Sequence, residues 1–197
     1  RPTLGSEHAC LVVAGIGFDA ALVAVTSPAL KARIKWGAYA LAALENLRTP
    51  RMELSLGLVG TPDDDGPPGP PHPGLPPSQE RLVARCLLIA NGGRLPAGIV
   101  LIPGARMDDG LLDVAAIDTV AGLAGWTSLA RQVLPPFAAT YSNPSRALGR
   151  VRLRRGTAVT VHLAEPALVQ VDGELLAPTR ALRVRMDAGA LLVRCPE

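Results

Sequence analysis

The sequence predicts a mainly β protein: an antiparallel β-sandwich-like domain with two or three helices. Three observations predict it. Val151, Leu153, Val159, Val161 and Leu163 alternate with polar residues, the pattern of strands with one solvated face. Turn-forming residues recur between the apolar runs, at Gly156, Glu165-Pro166, Gly173 and Asp187-Ala188-Gly189. Helical spacing is confined to three segments, two of them near the start. A length of 197 residues fits one domain at roughly 150 residues per domain.

In chain order, residues 10–14 read as a short strand, and Gly15 and Gly17 as the turn after it. From Phe18 the pattern FDAALVAV is helical. Asp19 falls in its first turn, where a carboxylate faces free N–H groups. A second helix is predicted from Arg33 to Leu47, with Ile34, Ala38, Leu41, Ala42 and Leu44 as its apolar stripe. Met52 to Gly60 alternates in period two and reads as a half-buried strand. Thr61 to Gln79 is proline-rich. Its prolines lack donors and fix φ, so it reads as a loop, and its flanks as the arms of one long hairpin. The Asp63, Asp64, Asp65 trio inside it reads as a solvated loop tip rather than a metal site. Arg81 to Ala90 and Leu111 to Asp118 are the next strands. Asn91-Gly92-Gly93 leaves the first of them by a turn suited to positive φ. A third helix spans Leu123 to Leu134, stopped by Pro135 and Pro136. Strands then follow at Arg150–Arg154, Ala158–Leu163, Ala167–Val171, Leu182–Met186 and Ala190–Cys195.

Composition narrows the function. Apolar residues form 48 % of the chain and aromatics 3 %, so the core must be built from Ala, Val and Leu. The net charge of +3 comes almost wholly from arginine. No basic helix face or aromatic-basic interleaving supports nucleic-acid binding. Cys10, Cys86 and Cys195 are odd in number and lack metal spacing, which points to a reducing compartment. The chain begins at Arg1 without a signal-like segment and reads as a fragment or processed chain. No apolar run approaches the roughly 18–20 residues of a membrane span, so a cytoplasmic setting is expected, with any membrane contact peripheral at the inner face. Rossmann, Walker A, GxSxG and HExxH patterns are absent, and His8, His72 and His162 form no motif.

Two acidic corners carry the chemistry. In Asp108-Asp109-Gly110, glycine lets the chain bend so that a carboxylate and neighbouring carbonyls can approach one point. That set suits Mg²⁺ or Ca²⁺. On spacing alone, an Asp-Gly turn with locally bonded carboxylates is favoured over a metal site. In Val171-Asp172-Gly173-Glu174, the Asp-Gly pair reads as a hairpin tip and Glu174 starts the next strand. A carboxylate held there could take a proton from a hydroxyl nucleophile, or could be a solvated rim residue.

The ordered set AGIGFDA, KWGAYALAAL, NGG, PGARMDDGLLDV and VQVDGE resembles the C-terminal half of the bacterial diacylglycerol kinase and sphingosine kinase-like lipid kinases, over about His8 to Cys195. The resemblance implies the C-terminal domain of the lipid kinase and NAD kinase-like fold, spanning 1–197 with a proline-rich loop at 61–79. The family's Gly-Gly-Asp-Gly-Thr loop does not occur here, so the N-terminal nucleotide-binding domain is absent from this chain, and the chain alone is expected to be inactive. The resemblance implies Glu174 as general base, and Asp109 with the carbonyls of Arg106 and Leu111 as a structural Mg²⁺ site. It places Asn91 and Gly92 toward the nucleotide cofactor, and Gly15, Gly17, Phe18 and Asp19 along the substrate cleft. It implies Mg²⁺ and ATP as cofactors, with ATP held mostly by the other domain. A lipid alcohol at a membrane surface is the implied substrate and a homodimer an assembly to test. Two other readings stay open: an NAD kinase-like phosphotransferase on a soluble alcohol, and a non-catalytic sandwich that binds lipid or a partner. The kinase reading expects both acidic corners to open on one groove.

Overall fold

The computed structural model describes residues 7–17, 20, 50–60, 78–93, 102, 104–120, 124–125 and 149–192. Eight strands run in chain order: β1 (Val13–Gly17), β2 (Met52–Val59), β3 (Ser78–Ala84), β4 (Cys86–Ala90), β5 (Leu112–Thr119), β6 (Gly149–Gly156), β7 (Ala158–Val171) and β8 (Glu174–Arg185). Every pairing is antiparallel. The strand order is β3-β2-β7-β1-β4-β5-β6, with β8 added along β7.

The long strand β7 makes this one sheet into two layers. Residues 158–163 of β7 pair with β2, and residues 169–171 pair with β1, while β8 follows β7 along both parts. The register slips between His162 and Ala167 and again before Val169. Such irregularities let a strand bend from one layer of a sandwich into the other. The sequence reading placed a turn at Glu165-Pro166 and two strands around it. The structure corrects this to one strand with a bulge, a position in a sheet that tolerates a proline without a donor.

Between the layers lies an aliphatic core. Ile16, Leu54, Leu56, Leu87, Val114, Val159, Val161 and Val169 are nearly inaccessible to solvent, as expected of a chain so poor in aromatics. Strands β4 and β5 are buried on both sides. Leu87 and Ile89 face the main core, while Cys86, Leu88, Ala90, Ala115 and Ile117 pack on the outer side with Ile102. This double burial explains why both strands read as continuous apolar runs rather than as alternations. The two ends of the strand path are tied across the edge: Glu80 of β3 accepts from Arg152 and Arg154 of β6. All three side chains are substantially exposed, so each contact contributes at most about 1 kcal/mol.

Several boundaries differ from the sequence reading. Gly15 and Gly17 are not a turn but lie inside β1, with Gly15 between Leu88 and Gln170. Gly17 has φ +80, and a Cβ there would meet Met52 and the Arg85 carbonyl. The run Arg81–Ala90 breaks at Arg85, where the chain passes from one layer to the other, and Ser78 and Gln79 belong to β3 rather than to the loop. The pairing of β2 with β3 forms the expected long hairpin. Strand β8 starts at Glu174, as the Val-Asp-Gly-Glu corner predicted, and runs unbroken into the separate strand expected at Leu182–Met186, ending at Arg185. Residues 190–192 are not strand. The three predicted helices and the proline-rich segment lie outside the described residues, except for helical Ala20, Ala124 and Gly125.

Asn91-Gly92-Gly93 also differs. Its glycines lack positive φ, and what Gly93 supplies is space: a Cβ would fall 2.1 Å from the Ile102 carbonyl oxygen. Gly93→Ala is therefore expected to destabilise the protein by about 1–3 kcal/mol, as overpacking does, despite the entropy it removes from the unfolded chain. A thermal melt checks this. A drop of roughly 2–9 °C is expected, and an unchanged melting point would show that the 102–105 segment yields freely.

Candidate functional site at one end of the sheet

Antiparallel register decides which predicted residues meet. Val13 pairs with Ala90, Ala90 with Asp113, and Asp113 with Arg155. Val171 pairs with both Ala14 and Glu174. The start of β1, the end of β4, the start of β5, the end of β6 and the β7–β8 turn therefore lie at one end of the sheet. That end gathers Glu174, Asn91, Gly92 and the Asp109 bend.

The β7–β8 turn is built by Asp172, whose φ is +48, the sole positive value at a non-glycine among the described residues. Asp is one of the few side chains that tolerate this region. Its carboxylate accepts three successive main-chain N–H groups: Leu11 on Oδ2 at 2.7 Å, and Val12 and Val13 on Oδ1 at 2.9 Å each. The Asp172 N–H returns a bond to the Val13 carbonyl at 2.9 Å. Buried Gln170 completes the turn by accepting the Gly173 N–H on Oε1 at 2.7 Å. On the other side of residues 11–13, Asn91 donates its main-chain N–H to the Val12 carbonyl and Nδ2 to the Leu11 carbonyl, at 2.9 and 3.3 Å. The segment Leu11–Val13 is thus a strap between Asp172 and Asn91. Sequence reasoning missed this strap. A short polar side chain next to glycine signalled a turn, but nothing local signalled that its oxygens would be used 160 residues away.

Partial burial works to raise the Asp172 pKa. The three N–H donors and the Cys10 thiol more than offset it, so the net shift is downward. Cys10 donates Sγ–H to Asp172 Oδ1 at 3.8 Å. Its own pKa is pushed up to about 11, by burial first and then by the Asp172 charge, so the thiol stays protonated at neutral pH.

Glu174, the first residue of β8, is exposed. Leu11 and Val12 of the strap held by Asp172, and Leu175, the next residue of β8, are also exposed, while exposed Met107 lies beside Gly92.

The second corner differs in kind. Gly110 has φ +71, and Asp109 Oδ1 accepts the Leu111 N–H at 3.0 Å, which closes the bend. Asp109 Oδ2 pairs with Arg155 Nη2. Arg155 Nε lies 3.0 Å from Asp113 Oδ1, at an angle outside hydrogen-bond range. Asp113 is 4 % exposed, and its Oδ2 has no hydrogen-bond partner among the described residues. Burial raises the Asp113 pKa; the Arg155 charge works against this and Asp109 adds to it. Arg106 and Asp108 face solvent and pair with each other at 2.9 and 3.0 Å, which lowers the Asp108 pKa.

This bend does not fit a divalent ion. Both Asp109 oxygens already have partners, and one partner is a cation. At about 4 Å and an effective dielectric of about 20, a divalent ion and a guanidinium repel by roughly 8 kcal/mol, which cancels the pull of one of the two carboxylates. Mg²⁺ also gives up its water shell reluctantly and demands octahedral oxygens.

The two corners share an end but not a side. Glu174 lies on the core-facing row with Val171, Ala14, Ile89 and Val114, whereas Asp113 and Arg155 lie on the opposite row. Three strand spacings, roughly 14 Å, separate β7 from β5. The bend and Glu174 therefore do not open on one groove, which corrects the expectation drawn from the kinase resemblance. Of the residues expected along the substrate cleft, Gly17 sits at the other end of β1 beside Cys86, and Gly15 is mid-strand. Phe18 and Asp19 lie outside the described residues. An open groove of about 450 Å³ lies along β2, β3 and β7, lined in part by Glu53, Ser55, Arg81 and His162, and contains none of the predicted site residues. Among the described residues, no helix is long and apolar enough to cross a membrane.

Residues 10–195 match the family model of the YegS C-terminal NAD kinase beta sandwich-like domain. No curated protein matches in sequence. The fold is similar to three solved structures from Bacillus anthracis strain Sterne. Two are provisionally named diacylglycerol kinases, with 15 % and 18 % identity and TM-scores of 0.58 and 0.54. A third, named a diacylglycerol kinase, has 20 % identity and a TM-score of 0.52. Each comparison covers 91 % of this chain. The chain spans about half of the solved proteins, 50 %, 51 % and 50 % in turn.

Proposed function

Because this chain belongs to the family of YegS C-terminal NAD kinase beta sandwich-like domains, we propose that it forms the substrate-side half of an ATP-dependent lipid kinase. Its substrate on this reading is diacylglycerol or a related lipid alcohol at a membrane surface. One observation carries the proposal: an exposed carboxylate, Glu174, begins a strand at a turn locked by Asp172, whose own carboxylate also holds the exposed Leu11 and Val12. A hydroxyl on an apolar molecule is the kind of group such a place can receive. Glu174 then takes the hydroxyl proton as the oxygen attacks the γ-phosphorus. The bond to the β-phosphate oxygen breaks, and the phosphoryl group passes to the alcohol. ATP with Mg²⁺ supplies the phosphoryl group and the charge that neutralises it, held mainly by an N-terminal domain in the other half of the protein. Asn91 acts through the Leu11–Val13 strap to keep the site's frame in place.

Full-length protein incubated with Mg-ATP and mixed micelles of diacylglycerol, beside NAD as a soluble acceptor, tests the proposal. Labelled phosphate is expected in the lipid fraction. Label in NAD alone would favour the soluble-alcohol reading, and label in neither would favour a binding sandwich without transfer.

A further inference from the structure

We infer that Arg155 is the built-in cation of the Asp109 bend, so that this corner is ordered by an internal ion pair and not by a divalent metal. Arg155, the last residue but one of β6, lies directly opposite Asp113 in the register, so its guanidinium reaches that carboxylate without leaving the sheet. The same guanidinium contacts Asp109, whose other oxygen closes the bend through the Leu111 N–H. Asp113 is almost wholly buried, and a buried carboxylate without a compensating charge is strongly disfavoured. One planar fork therefore serves two acids, one in the bend and one in the sheet, and ties the 106–111 segment to β5 and β6. A guanidinium suits this task because its donors are fixed in one plane and it stays charged. Lysine would offer a single point charge.

This inference does not depend on the kinase reading, because its readout is stability without nucleotide or lipid. Melting of the full-length protein is measured in EDTA and in about 5 mM Mg²⁺ or Ca²⁺ for the wild type, Arg155→Gln, Arg155→Lys and Asp109→Asn. The wild type is expected to melt within about 1 °C in all three solutions, since an ion that does not bind the native state cannot raise its melting point. Arg155→Gln is expected to melt roughly 6–12 °C lower in EDTA, because it leaves Asp113 uncompensated. It should also gain a response to Mg²⁺ or Ca²⁺ as the two acids become free. If that variant does not fold, Arg155→Lys and Asp109→Asn carry the test, with smaller losses and no metal response in the asparagine form. A wild-type protein stabilised by several degrees in Mg²⁺, with the effect lost in Asp109→Asn, would overturn the inference. An Arg155→Gln protein as stable as the wild type would do the same.

Discussion

Glu174→Gln in the full-length protein is expected to lower kcat for lipid phosphorylation by about 10²–10⁴, the usual worth of a general base, with little change in the KM for lipid. Glutamine keeps the size and polarity of the side chain and removes only its ability to take a proton. Glu174 is exposed and makes no ion pair among the described residues, so the fold does not depend on its charge. The melting point of the variant should stay close to that of the wild type, as for surface substitutions generally. A loss of activity with unchanged melting would separate chemistry from folding. Equal turnover by both proteins would remove Glu174 from the reaction and leave the apolar end of the sheet as a binding surface only.

The same residue shows what could be read from the sequence. Val-Asp-Gly-Glu predicted a hairpin tip with a carboxylate at the start of a strand, and β7, the turn and β8 have that form. The Asp-Gly pair is a local signal, because positive φ selects its residues directly. The alternating pattern of β2 and β6–β7 was legible for the same reason: each strand has one solvated face. What could not be read was non-local. The apolar run Arg81–Ala90 gave no sign that Arg85 divides it between layers, because strands buried on both faces lack alternation. Glu165-Pro166 looks like a turn, and only the neighbouring β8 turns it into a bulge. Asp113 and Arg155 are 42 positions apart, and their meeting follows from the β5–β6 register alone. Sequence spacing read Asp108-Asp109-Gly110 as a turn that could also serve a metal, with Asp113 three residues further on. The cation that meets two of them, Arg155, sits on β6, far from the bend in sequence.

Asp172→Asn is the sharper probe of how the site is held. Asparagine tolerates positive φ as aspartate does, so the turn itself suffers little backbone strain. The change falls on the carboxylate. Its two oxygens receive three N–H groups, and an amide can present one oxygen, leaving Leu11, or Val12 and Val13, facing an NH₂ group. Bonds to a charged acceptor contribute more than neutral ones, but these are partly exposed, so a loss of about 1–3 kcal/mol is expected. For a chain of this size that is roughly 2–9 °C in melting point. With the strap loosened, Glu174 loses its fixed distance from β1, and a displacement near 1 Å can cost on the order of 10² in rate. Asp172 is therefore a positioning residue: its variant should lower kcat in the wild type but add little once Glu174→Gln has removed the base.

The pH dependence gives a second signature of the same carboxylate. The Asp172 pKa is held below its ordinary value of 3.8 in the folded protein, so its contribution is complete above that value and is lost as pH falls through the folded pKa. The gap in melting point between the wild type and Asp172→Asn should be constant near neutrality and close in acid below 3.8. A gap that persists unchanged into that acid range would mean that the strap is held by the shape of the turn and not by the charge of Asp172, and Glu174 would then owe its position to Gln170 and the β7–β8 ladder alone.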